Sequence, residues 1–243
     1  PPGTRAIHMS QLGRALTAVA LDPPVKALVD YNPTPAAVAP DHESVQRGLA
    51  RDDLFTVVHE LFPTDTVDFA DIVLPATSTL EHYDIHKSYG HLYVSLNRPA
   101  IPPRGEAISN TEVFRRLAVR LGLDHPCLRD SDEDMARQAF DWDHPRMAGI
   151  TLERLEKETS LRLNVPDPYV PFAEGDFPTP SGRCELRAER LAEQGHDPVA
   201  GYVPPRESVV SAPELAKRYP LAFISPPAHH FLNSTFSAQP IFL

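Results

Sequence analysis

Cysteine is scarce in this sequence. The 243 residues hold two, Cys127 and Cys184, with no CxxC or comparable spacing. Neither a disulfide framework nor an iron–sulfur site is therefore expected within this stretch, and both residues read as buried free thiols. No run of about eighteen apolar residues occurs, so no transmembrane helix is expected. There is no GxGxxG and no GxxxxGK[ST], which removes the dinucleotide fingerprint and the P-loop. Basic charge is not in excess either: 23 Lys and Arg stand against 33 Asp and Glu, a formal net charge of −10. An acidic surface is repelled by nucleic-acid phosphate and by anionic lipid, so neither is expected as a partner. The chain begins at Pro1 and ends in the apolar run Ile241-Phe242-Leu243. It reads as the C-terminal piece of a longer protein, cytoplasmic by expectation, in which a leader peptide cannot be judged.

What the sequence has in abundance is proline, 27 residues concentrated in the second half, where long extended connections are expected. The first half alternates elements. Residues 10–19 read as a helix capped by Ser10, with Leu12, Ala15, Leu16 and Val19 on one stripe. Residues 25–31 read as a buried strand, broken by Asn32-Pro33. Residues 41–51 read as a helix, acidic at its start and closed by Arg51. Residues 54–61 and 71–76 are two further strands, the last stopped by Pro75. Strands and helices alternating at short intervals predict an α/β fold, a parallel sheet flanked by helices. Residues 82–105 read as irregular. Residues 110–123 form the clearest helix, with a capping box from Ser109 and Glu112, a stripe of Val113, Phe114, Leu117, Ala118 and Leu121, and Gly122 near its end. Helices are expected over 131–141, 151–158 and 185–194, and a new strand over 219–225. The expected domains are 1–125, 126–217 as a mixed, extended connecting region, and 218–243 as the start of another domain.

Ligands of parallel α/β sheets sit at the carboxyl ends of the strands. Here Asn32-Pro33, then His59-Glu60 through Thr64, then the loop from Pro75 to Glu81 punctuate three such ends and would converge on a nucleotide-sized ligand. A metal pair of His82 and His86 is weighed and set aside, because the segment has poor helical character and no third ligand at a familiar distance. His229-His230 followed by Asn233-Ser234 forms a polar loop after an apolar run. Such a loop can offer donors to a phosphate or a pterin.

The order of segments is more specific than any one of them. Asn32-Pro33, the stretch 60–66, the stretch 70–75, Glu81, Tyr89-Gly90, Gly105-Glu106-Ala107 and the helix 110–122 follow one another, then FPTPSGRCE at 177–185 and the run 219–236. This succession resembles the molybdopterin oxidoreductase family, the dimethyl sulfoxide reductase and formate dehydrogenase superfamily. The resemblance implies molybdenum or tungsten held by two pterins, each extended by a guanine nucleotide. It implies a wall of that site rather than the metal ligand, with no catalytic residue in this chain. The residues so implicated are Asn32, His59, Glu60, His82, Asn110, Ser225, His229, His230, Asn233 and Ser234. Asn110 stands where relatives often carry an Asp that bonds guanine, and His82 where some carry Lys. A [4Fe-4S] cluster, if present, and the metal ligand would lie upstream. Residues 218–243 would open a C-terminal dinucleotide-binding β-barrel. The whole protein would catalyse two-electron oxygen-atom or hydride transfer on a small molecule, with an electron-transfer subunit as partner. The alternative is a non-catalytic electron-transfer scaffold related to the large iron–sulfur subunit of respiratory complex I.

Overall fold

The computed structural model describes residues 3–18, 21–226 and 229, which fall into two units built on Pro1–Asn164 and Val165–Pro227. In the first, the three apolar runs become β1 (Ala27–Tyr31), β2 (Phe55–Glu60) and β3 (Ile72–Pro75). They pair in that order, both ladders parallel, with Tyr31 opposite His59 and Glu60 opposite Pro75. Parallel pairing requires crossovers. The chain between β1 and β2 supplies α2 (Pro35–Val38) and α3 (His42–Leu49), and α1 (Leu12–Thr17) precedes β1. Pro35 opens α2 where a missing N–H costs nothing.

Helices α1 and α3 approach closely because each brings a glycine to the contact. A Cβ on Gly48 would lie 2.4 Å from Leu16 Cβ, and one on Gly13 would lie 2.8 Å from Ser44 Cβ. The resulting core buries Leu16, Ala36, Val45, Leu49 and Leu54, with Leu28 of β1 packed against it. Side chains alternate along a strand, so Asp30 shares this face with Leu28. Tyr31 and His59 point to the other face, where Tyr31 meets Phe114 edge-on at 5.2 Å.

Phe114 lies on α4 (Asn110–Leu121). Ser109 caps this helix by accepting the Glu112 N–H at 3.3 Å, and Gly122 ends it at φ 66°, letting Leu123 N–H return to Ala118 O at 2.9 Å. The expected capping box is only half made. Glu112 turns its carboxylate to Arg115 and Arg116, at 3.0 and 2.7 Å, because two charge-assisted bonds outcompete one to a backbone N–H. A reciprocal box closes instead at α5 (Asp132–Gln138), between Ser131 and Asp134.

Residues 82–105 are not irregular throughout. They contain β4 (Asp84–Lys87) and β5 (Tyr93–Asn97), an antiparallel pair completed by β6 (Ser160–Arg162) in the order β4-β5-β6. The inward residues Val94, Leu96 and Leu161 bury with Ala136 and Ile150 and with Leu155 of α6 (Leu152–Glu158). Residues 126–164, expected to be part of a connecting region, thus supply most of a second core within the first unit.

The unit built on Val165–Pro227 carries α7 (Glu189–Glu193), α8 (Pro213–Arg218) and an isolated bridge, Arg187 with Val199. No strand forms over 219–225. Leu221, Phe223 and Ile224 are almost fully exposed, since an apolar run becomes a strand only when a ladder partner takes its N–H and C=O groups. Most of the expected barrel start lies outside the described residues. Both cysteines are exposed rather than buried. Cys127 sits on a single 3-10 turn beside His125 Nδ1, at 2.9 Å, and Cys184 on a segment without regular structure, so neither meets a core. Among the described residues no helix is long and apolar enough to cross a membrane.

Candidate functional site

The parallel register sets the three strand ends level, so Asn32, Glu60 and Pro75 end adjacent strands at one edge. Asn32 adopts φ 72°, a left-handed conformation that Asn tolerates better than most side chains, and this turns the chain before Pro33. Its N–H reaches His59 O at 3.4 Å. Its Oδ1 accepts from Asn110 Nδ2 at 3.2 Å, because the Ser109 cap places Asn110 as the first residue of α4. Two residues far apart in sequence are therefore joined directly. The bond also fixes the pair's polarity: Asn32 keeps an amide donor and Asn110 an amide acceptor for a third party.

Beside them runs the loop after β3. Glu81, buried, organises it: Oε2 accepts from the Ser78 N–H and hydroxyl at 2.7 and 2.8 Å, and Oε1 from Arg104 N–H at 2.8 Å. Those donors, the Ser78 N–H above all, hold its carboxyl below the usual range. His82 Nδ1 lies 2.9 Å from Thr77 Oγ1. Asn32, Thr77, His82, Tyr83, Asn110 and Thr111 line one cleft of about 240 Å³. Three of the expected site residues, Asn32, His82 and Asn110, thus meet in a single cavity.

His59 and Glu60 do not line it. His59 is 2% exposed on the sheet face toward α4. Its Nδ1 lies 3.0 Å from Leu74 O, and a carbonyl can only accept, so Nδ1 carries the proton and Nε2 is left as a buried acceptor without a partner. Glu60 takes the Leu61 N–H on Oε1 at 2.6 Å. Ser225 lies in the other unit and is exposed, as is His229. His230, Asn233 and Ser234 lie outside the described residues. Thr77, Tyr83 and Thr111 were not singled out from the sequence. Nor was Asp30, though a lone acid in the apolar run Ala27-Leu28-Val29-Asp30-Tyr31 is a legible signal.

The residues present fit part of a polar heterocyclic cofactor. Five buried side-chain atoms lack a hydrogen-bond partner among the described residues, and four belong to Asp30, His59, Thr64 and Tyr83, at or just past the carboxyl edge. Of these residues only Tyr83 lines the cleft; buried polar groups are normally paired, so its hydroxyl marks a place for a ligand acceptor. Among the described residues no Lys or Arg lines the cleft while the Asp84 carboxylate does, which suits the N–H-bearing edges of a base or pterin better than a bare phosphate. The cleft is smaller than the roughly 300–1,000 Å³ of complete small-molecule sites, so it would take one moiety of a larger group. Among the described residues no three His, Cys, Asp or Glu side chains come together as a metal-ligand set.

A family model described as molybdopterin oxidoreductase matches residues 15–120, the stretch that forms the parallel sheet, the cleft and most of α4. The chain is 44% identical over 234 residues to "Probable oxidoreductase YoaE" of Bacillus subtilis (strain 168), covering 96% of this chain and 32% of that protein. It is 31% identical over 200 residues to acetylene hydratase of Syntrophotalea acetylenica, covering 82% of this chain and 26% of the relative. The solved structure of acetylene hydratase from Pelobacter acetylenicus superimposes with a TM-score of 0.64 at 26% identity, over 96% of this chain and 32% of that one. The chain therefore spans about a third of the length of the relatives it matches. Segment order, the parallel sheet with its polar carboxyl edge, and these likenesses agree: the chain belongs to the molybdopterin oxidoreductase family.

Proposed function

We propose that this chain forms part of the wall that holds a guanine-dinucleotide form of the molybdenum or tungsten pterin cofactor in an oxidoreductase acting on a small molecule. On this reading an iron–sulfur cluster and an electron-transfer partner belong to other parts of the whole protein. The observation that carries the reading is the Asn32–Asn110 pair at the sheet's carboxyl edge, with the Tyr83 hydroxyl, unpartnered among the described residues, on a residue of the same cleft. When bound, the cofactor supplies two-electron oxygen-atom or hydride transfer. The chain's own residues bind and orient. Asn32 Nδ2 and Asn110 Oδ1 offer a donor and an acceptor side by side. His82, its Nδ1 on Thr77, presents Nε2. Burial above all, with Glu156 and Glu133 behind it, pushes the Tyr83 hydroxyl up in pKa, so it stays a proton donor. An electron-transfer scaffold without a pterin gives these unpaired groups no purpose, which favours the enzyme.

Asn32→Ala in the full-length protein tests the reading. Losing one hydrogen bond in a water-poor site and stranding its partner costs about 1–3 kcal/mol. That corresponds to about a 5- to 150-fold loss of cofactor affinity. Metal and released guanine nucleotide are measured per folded chain. Full occupancy together with wild-type activity would show that Asn32 only shapes the turn before Pro33.

A further inference from the structure

The residue that β1 sends toward the helix-covered face beside Leu28 is a carboxylic acid. Asp30 is 5% exposed, and its Oδ2 has no hydrogen-bond partner among the described residues. Across the ladder from Asp30 stands Val58, and Glu60 follows two residues later on the same face. The helices over this face present Leu16, Ala36, Val45 and Leu49, all apolar. Tyr31 and His59 point to the opposite face. Lys26 and Arg51 both pair with Asp53 at the amino end of the sheet. Among the described residues the charge that acts on Asp30 is that of Glu60.

Two acids therefore share a face, one of them buried, with no cation acting on it among the described residues. A carboxyl in this position keeps its proton more readily than an exposed one. Burial pushes Asp30 up to about 7, and the neighbouring Glu60 adds to the push. A metal ion is a poor substitute for that proton. Calcium takes about six to eight oxygen ligands and magnesium a near-octahedral shell, whereas no cluster of three or more ligating side chains exists among the described residues.

Both acids hang from the backbone that forms the rear of the cleft. Asp30 lies two residues before Asn32, whose N–H bonds to His59 O and whose side chain bonds to Asn110. Glu60 follows His59, and its carbonyl takes the Ala76 N–H at 3.1 Å, one residue before Thr77 of the cleft. Repulsion between two ionised carboxylates would thus act on the two segments that position Asn32 and Thr77.

We propose that Asp30, buried beside Glu60, keeps its proton behind the cleft, and that its release loosens the cleft's grip on its ligand as pH rises. Asp30 is a positioning residue, since it lines no part of the cleft. The ligand half of this proposal rests on the cofactor reading above; the proton on Asp30 does not.

Infrared spectra and metal analysis of the full-length protein separate the two halves. A carboxylic-acid C=O band is expected at about pH 6, vanishing by about pH 8.5 and missing from Asp30→Asn. Glu60→Gln, which removes the neighbouring charge, should move the band's midpoint to lower pH. Molybdenum or tungsten per chain, followed during gel filtration, should fall faster as pH rises. With one proton involved, the loss rate can grow at most about tenfold per pH unit below about 7 and should level off above it, once Asp30 is ionised, and it should be flat in Asp30→Asn. A wild-type spectrum without the band at about pH 6 overturns the proton on Asp30. Equal pH profiles of metal loss in wild type and Asp30→Asn overturn the link to the cleft. A wild type that binds no metal at any pH overturns the cofactor reading and with it that link, while the band still decides the proton.

Discussion

Gly48→Ala tests whether the approach of α1 and α3 is as tight as it looks. The added Cβ would lie 2.4 Å from Leu16 Cβ, 3.2 Å from its Cδ1 and 3.4 Å from its Cγ. The closest atom is the root of the side chain, so a rotamer change at Leu16 cannot relieve the clash. Helix α1 must instead move off α3. That displacement opens space around Leu16, Val45 and Leu49, which are at most 3% exposed. Overpacking of this kind costs about 1–3 kcal/mol, sometimes more. Against it stands the better helix propensity of Ala, about 0.8–1 kcal/mol in a helix interior. The clash should win by roughly 1–2 kcal/mol. A urea titration of the full-length protein, followed by hydrogen exchange in β1 and α3, reads the loss locally. The cleft lies at the carboxyl edge, away from this contact, so cofactor content of the folded fraction should not change. A variant as stable as wild type, or more so, would mean that the helices sit further apart than described and that propensity alone decides the outcome.

Leu155 is fully buried in the second core, so Leu155→Ala should cost about 2–5 kcal/mol, read as early loss of protection in β5 and β6 with the Asn32–Asn110 cleft unaffected. Asp30 makes stability pH-dependent. Its carboxyl is raised from 3.8 to about 7 in the folded chain, so its contribution is intact below about 4 and is lost as pH rises to about 7. Asp30→Asn should erase that slope. The wild-type loss across this window should be about 1–3 kcal/mol, less than the full shift implies because water reaches the sheet edge. Equal slopes of thermal midpoint against pH in the two proteins would refute it.

The parallel sheet is legible in the sequence because each of its strands announces itself locally, as an apolar run stopped by Asn32-Pro33, by Pro63-Thr64 shortly after Glu60, or by Pro75. The same stops mark the edge where ligands gather and single out Asn32, whereas His82 and Asn110 are implicated by the resemblance of the segment order. The antiparallel sheet is not legible in the same way. β5 buries only Val94 and Leu96, β4 buries no residue fully, most of their other positions are polar, and the third strand comes more than sixty residues later, at Ser160. Tyr83 and Thr111 become neighbours only because β4 and the start of α4 are brought together. The run 219–225 has a strand's composition without a strand's partner, and composition alone cannot supply one. At Glu112 the helix-start rule met two arginines three and four residues on, and the ionic bonds won.

The pairing of Ser95 with Ser160 has a kinetic meaning. During synthesis all three parallel strands are available once residue 75 has emerged, and their helices and first core can form from contacts of modest sequence separation. The second core cannot. Val94 and Leu96 must wait for Leu161 and Leu155, so a loop of about sixty residues has to close before that hydrophobic surface is covered. High sequence separation slows such closure and leaves apolar strand faces exposed meanwhile. The nascent chain should therefore carry a folded parallel sheet with the Asn32 turn already set, while the β4–β5 hairpin is the part that needs protection from aggregation.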